Sequence, residues 1–158
     1  MSVPVAWYRD PATARFIVLR YLPWFFALNL AWEAVHVRLY TLWTEATARY
    51  ITFSVVHCTF GDLLIGLSAL LLALIAGRER GPSCWRLARI GLLSTLFGAG
   101  YTVWSEWMNV TILRSWMYAD SMPRVPIGDF QLGLTPLLQW LLLPTLALYM
   151  ARVGWVRT

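Results

Sequence analysis

Two histidines and a few carboxylates interrupt stretches of this chain that are otherwise apolar. Glu33 and His36 stand three apart, so a helix puts them on one face. Glu106 and Asn109 repeat that spacing, and Tyr101, Ser105 and Asn109 make a stripe at four-residue intervals. His57 and Asp62 are five apart and point about 140° away from each other on a helix, so they serve different neighbours, with His57 expected to face inward. Imidazole and carboxylate on facing helices are the ligand set of metal sites built in bundle cores, and Glu-x-x-His matches one arm of the carboxylate-bridged di-metal pattern. That pattern needs the arm twice, with two further glutamates, and this chain has it once. A single Zn, Fe, Mn or Cu ion held by Glu33, His36, His57 and Glu106 therefore fits the inventory better than two, with Asp62, Asn109, Tyr101, Ser105 and Gln139 as supporting groups.

Other chemistries draw on the same residues. His36 and His57 are the only histidines and fall at similar depth, as axial ligands of a b-type haem must. Metal-free acid–base catalysis on a lipid or other apolar substrate would take Glu33, Glu106 or Asp62 as proton donor and a histidine as base. Without any reaction, the same groups serve as hydrogen-bonding glue between the helices, His36 to Glu106 or His57 to Asn109, and the chain is then a non-catalytic subunit or assembly factor of a larger membrane complex, or a homo-oligomer. A proton path is hard to draw, because the polar residues do not continue to the inner side.

The elements that position these groups follow from composition. Of 158 residues, 59% are hydrophobic and 13% charged, with a mean hydropathy of +0.57, a profile of chains whose main solvent is not water. Apolar segments cover 21–43, 50–76, 90–113 and 130–150, each long enough to cross a hydrocarbon core of about 30 Å as a helix. The expected fold is all-α: a polytopic, four-transmembrane-helix antiparallel bundle forming a single domain over 1–158. Pro23 and Pro144 are expected to bend their helices.

All thirteen cations are arginines. Arg9, Arg15, Arg20, Arg78, Arg80, Arg86, Arg89, Arg152 and Arg157 fall on one side of the spans, and only Arg38, Arg49, Arg114 and Arg124 on the other. The positive-inside rule then gives an N-in/C-in topology in the inner (plasma) membrane. Because they are dispersed, these charges do not make a nucleic-acid surface. No signal-peptide pattern opens the chain, and Trp24, Tyr40, Trp43, Tyr50, Trp116 and Tyr118 sit where interfacial aromatic belts form.

Depth is the main argument for one site. Counted from the outer ends of the spans at about 1.5 Å per residue, Glu33 lies about 15 Å down, His36 and His57 about 10 Å, Asp62 about 18 Å, Glu106 about 12 Å, and Asn109 and Gln139 about 8 Å. Every helix thus gives a polar group to one layer in the outer half of the bundle, under a long outer loop, 114–129, suited to cap it. The rest carries less. Cys58 and Cys84 fall at different levels and do not pair, and the absence of CxxC excludes a thiol oxidoreductase of the quinone-coupled type. Asn109-Val110-Thr111 matches a glycosylation sequon inside a span. Cys58, Met108, Met117 and Met122 suit packing better than Cu(I). Gly61, Gly66, Gly91, Gly98 and Gly100 read as close-contact positions between helices.

Overall fold

The computed structural model describes residues 6–156, with side chains as far as Val153. Asp10 opens the first helix: its side chain accepts a hydrogen bond from Ala12 N at 3.0 Å, and Pro11 takes the first helical position, where no N–H is needed. Helix α1 (Pro11–Phe16) passes through a π-helical turn (Ile17–Tyr21) into α2 (Leu22–His36). A 3-10 turn (Val37–Leu39) and the short α3 (Leu42–Glu45) lead to α4 (Ala48–Gly77), capped by the Thr47 hydroxyl. Arg78, at φ 50°, ends α4 in the left-handed conformation, and Glu79 N returns to Leu74 O. Helix α5 (Leu87–Glu106) continues through a second π-helical segment (Trp107–Ile112). A hairpin of β1 (Arg124–Ile127) and β2 (Phe130–Gly133) then precedes α6 (Leu134–Val156).

Side-chain register shows how the long helices run. The Phe25 ring of α2 lies against Gly66 of α4, and one turn further along α2 Asn29 shares Gln139 with Asp62, one turn earlier on α4. The two helices are therefore antiparallel. On the other side of the bundle, a Cβ added at Gly91 of α5 would stand 3.0 Å from Thr145 Oγ1 of α6, and one added at Gly98 would meet the Trp140 ring, again in opposite directions. Helices α2 and α5 each pack on both α4 and α6, which closes a square up-down bundle.

The end of the bundle that holds the first turns of α2 is filled by apolar side chains. Phe16, Tyr21, Phe25, Leu70, Leu74, Ile90, Trp140 and Leu148 are buried together, with Tyr21 stacked on Phe25 at 5.3 Å and Phe25 tilted against Trp140 at 6.0 Å. Below this core, Arg152 donates to Pro82 O at 3.0 Å, and Arg86 pairs with the buried Glu79 at 3.2 Å. The outward faces of α4, α5 and α6 carry exposed Phe60, Leu64, Leu72, Ile75, Leu92, Leu96, Leu141, Leu142 and Leu146. Helices α4 and α6 are each long and apolar enough to cross a membrane.

Each of the four apolar segments contains one long helix, with changed boundaries. The first begins at Pro11 rather than at residue 21 and ends near Leu39, because the Asp10 cap and Pro11 start it early. The fourth begins at Leu134, since 130–133 is strand β2, and the outer loop 114–129 contains β1 rather than only irregular chain. A two-residue Gly128-Asp129 turn with Gly128 at φ 59° joins the strands, a position that glycine fills without a steric penalty. Gly66, Gly91 and Gly98 are close-contact positions, whereas Gly61 and Gly100 face open space. Arg157 lies outside the described residues.

Gly98→Leu, which must displace the Trp140 ring, is expected to destabilise the bundle by about 1–3 kcal/mol. Gly100→Leu, with nothing within 4 Å of its added Cβ, should leave the melting temperature in detergent close to wild type. Equal losses in the two variants would show that the α5–α6 contact is not the tight one.

Candidate polar site between α2, α4, α5 and the outer loop

Three helices are joined at mid-height by one amide. Gln139 Nε2 donates to Asn29 Oδ1 at 2.9 Å and to Asp62 Oδ2 at 2.8 Å, while Asn29 Nδ2 donates to Phe25 O at 2.7 Å. Asn29 is fully buried and Gln139 is 3% exposed, so these bonds replace water for groups that have no other access to it. Asn29 holds α2 in rotation, and the same face of α2 then carries Glu33 one turn on and His36 beyond it.

Glu33 and His36 are both buried, with Oε1 and Nδ1 3.4 Å apart. Neither imidazole nitrogen makes a hydrogen bond to the described protein atoms. The ring is instead walled by aromatic groups, Tyr40 edge-on at 5.0 Å and Trp32 at 6.5 Å. Glu106, the last residue of α5, lies within electrostatic range of Glu33, His36 and Asp62, so three carboxyl groups and one imidazole converge from α2, α4 and α5. Glu106 is set where α5 changes to the π-helical form, a local widening common at functional sites.

The outer loop closes over this group. Thr41 N donates to Met117 O at 3.1 Å and Ala119 N to Leu39 O at 2.9 Å, which ties the loop to the end of α2 through a Tyr40–Tyr118 bridge. Tyr118 is thereby placed to donate its hydroxyl to Glu106 Oε2 while accepting from Gly133 N at 3.1 Å. Burial, and next the charge of Glu106, hold this phenol well above the usual tyrosine range, so it keeps its proton and acts as the donor to Glu106.

The predicted residues divide accordingly. Glu33, His36, Asp62, Glu106 and Gln139 are brought together. His57 is not: it is exposed on the outer side of α4 and stacked on Phe53 at 5.5 Å, because α4 turns Thr59 and Gly66 inward instead. It therefore does not join the buried group, and the two imidazoles do not face each other as a bis-histidine haem would require. Asn109 folds back on its own helix, donating to Ser105 O at 2.9 Å and Ser105 Oγ at 3.3 Å. Tyr101 is exposed beside Trp104. Among the described residues, no group of three or more His, Cys, Asp or Glu side chains is arranged to hold a metal ion.

Sequence reasoning missed Asn29, took Tyr118 for an interfacial anchor and Cys58 for packing. Asn29 lies four residues before Glu33 on the same face, a spacing that could have revealed it. Cys58 is exposed, yet within electrostatic range of Glu33, Asp62 and Glu106. Set against known protein families, characterised proteins and solved structures, the chain matches none.

Because Tyr118 keeps its proton, alkaline titration followed by tyrosinate absorbance should rise equally in wild type and Tyr118→Phe up to about pH 11. A rise smaller by one tyrosine in the variant would mean that the phenol titrates normally and does not hold Glu106 as a fixed donor.

Proposed function

We propose that the chain is an integral membrane protein of four spans, with both termini and the arginine-rich middle loop in the cytoplasm. We further propose that its buried group of Glu33, His36, Asp62 and Glu106 performs acid–base chemistry on an apolar, membrane-dissolved substrate. The four-span reading is supported by four long helices with exposed apolar faces, two of them long and apolar enough by themselves, and by the arginine asymmetry of the loops.

One observation carries the chemical reading: three carboxyl groups lie within electrostatic range of one another, two of them also of the His36 imidazole, and each has a different partner. Asp62 has an amide donor, Glu106 a phenol donor and Glu33 the imidazole itself. Unlike partners set like groups in unlike hydrogen-bonding roles, the arrangement in which one member of a set can donate and another accept. His36 Nδ1 lies 3.4 Å from Glu33 Oε1 and its buried Nε2 has no hydrogen-bond partner among the described protein atoms, which leaves that nitrogen to meet a bound molecule. Glu106 accepts the Tyr118 hydroxyl, which orients its carboxyl group, and Asn29 and Gln139 fix the geometry from below. A metal ion at Glu33, His36 and Glu106 would have to recruit further ligands, since His57 points elsewhere.

The test uses the protein purified in lipid. Topology reporters at the C-terminus and in the middle loop should read cytoplasmic, and one in the outer loop the opposite side. The infrared carbonyl-stretch band of protonated carboxyl groups should change with pH in wild type and lose a component in Glu106→Gln, and the remaining component should alter in His36→Ala. A band indifferent to both substitutions would end the acid–base reading. A stoichiometric metal that disappears in His36→Ala would replace it with a metal site.

A further inference from the structure

Two neighbouring side chains of α2 hold buried polar atoms that hydrogen-bond to no described protein atom: the indole Nε1 of Trp32 and the ring nitrogens of His36. His36 is only 7% exposed, so bulk water does not serve in their place. The two residues are four apart and lie on one face of the helix. Their rings stand 6.5 Å apart, centre to centre, at an interplanar angle of 49°. Buried donors and acceptors without partners are costly, and here they occur side by side, next to the carboxyl group of Glu33.

The two groups are complementary in what they lack. An indole N–H only donates, so Trp32 lacks an acceptor. The imidazole of His36 turns Nδ1 toward Glu33, whose Oε1 lies 3.4 Å away. A carboxylate only accepts, so the ring proton belongs on Nδ1 and Nε2 is left as a bare acceptor, the tautomer that a carboxylate fixes in a general-base histidine. His36 Nε2 therefore lacks a donor.

We infer that Trp32 and His36 together bind the hydroxyl group of an apolar alcohol, whose oxygen accepts from Trp32 Nε1 and whose O–H donates to His36 Nε2. This names the substrate class of the proposed acid–base site and rests on that reading. A hydroxyl is selected because it accepts and donates at a single atom. A ketone, an aldehyde or an ether would satisfy the indole and leave Nε2 bare, and an ammonium group would do the reverse. Two hydrogen bonds of about 2.9 Å to one oxygen join nitrogens about 5 Å apart, a span within reach of two rings whose centres are 6.5 Å apart. The rest of the molecule finds apolar surface alongside, since Trp32 is only partly buried and Ala31 and Val35, near it on α2, are exposed.

The experiment uses the full-length protein in phosphatidylcholine nanodiscs. Tritiated 1-dodecanol is bound in a scintillation-proximity assay and displaced by dodecyl methyl ether or dodecanal, which keep the acceptor oxygen and lose the hydroxyl proton. The alcohol is expected to bind roughly tenfold more tightly than either competitor. Trp32→Phe should weaken all three, because each oxygen uses the indole. His36→Phe should weaken the alcohol alone and bring it to the level of the ether. A second measurement keeps the wild-type site: with histidine labelled in 15N, and with the exposed His57 replaced by His57→Gln, the nitrogen spectrum should show a proton on Nδ1 of His36 and a bare Nε2. The signal of that bare nitrogen should move on addition of 1-dodecanol and not of the ether. Equal binding of alcohol and ether, the result a site filled by water alone would give, overturns the inference. So does a preference that survives in His36→Phe, or an Nε2 that carries the proton. Selective binding of the alcohol with a carboxyl band indifferent to pH and to Glu106→Gln removes the acid–base chemistry and keeps the hydroxyl site. A responsive band without selectivity for the alcohol removes the hydroxyl site alone.

Discussion

The amide of Gln139 is the interaction on which the rest of the arrangement depends. A primary amide has two donor hydrogens, and here both are used, one on α2 through Asn29 and one on α4 through Asp62. Removing either partner would leave a buried polar group without compensation, at a cost of about 1–3 kcal/mol. Three helices are consequently held at one height and one rotation. That fixed rotation is what sends Glu33 and His36 inward from α2 and brings Asp62 alongside them, while apolar packing alone would allow the helices to slide or turn at little cost.

Below the amide lie Phe25, Trp140 and Tyr21, which settle spacing. Rings fitted against Gly66 and Gly98 bring α2 to α4 and α6 to α5 more closely than any larger residue permits. Above it the bundle gives up regular geometry. Helix α5 widens into a π-helical segment at Glu106, α2 tightens into a 3-10 turn after His36, and the space between them is closed by loop backbone rather than by helix. Tyr118 belongs to that loop and completes Glu106, so the site needs an element that helical periodicity cannot supply. The division is functional: a rigid apolar end sets positions, and an irregular end supplies donors.

Much of this was legible in the sequence, and the limits have physical causes. The helices and their opposed directions follow from apolar length, and counting depth brings Glu33, His36 and Glu106 near one level, whereas it sets Asp62 and Gln139 about 10 Å apart although they are bonded at 2.8 Å. Rotation about a helix axis does not follow. His57 falls at the right depth and yet faces outward, because Thr59 and Gly66 take the inner face of α4. Helix α4 is apolar nearly all round, so no polar face was there to reveal its orientation. Tyr118 was hidden for another reason: its position depends on backbone pairing between the segments after α2 and after α5, which are far apart in sequence. The hairpin, by contrast, carried a readable signal in Gly128-Asp129 between two short runs. It was masked by treating 130–133 as the start of a span.

The outward rotation of His57 bears on how the site is reached. An imidazole on the outer face of a helix in an apolar environment is unfavourable unless something polar meets it. Cys58, the next residue, is turned by about 100° and borders both environments, exposed on one side and within the field of Glu33, Asp62 and Glu106 on the other. The outer loop blocks approach from above through Tyr118, and the apolar core blocks it from below. On the remaining side, Gly61 of α4 and Gly100 of α5 leave their surroundings open, since an added Cβ at either would meet nothing within 4 Å.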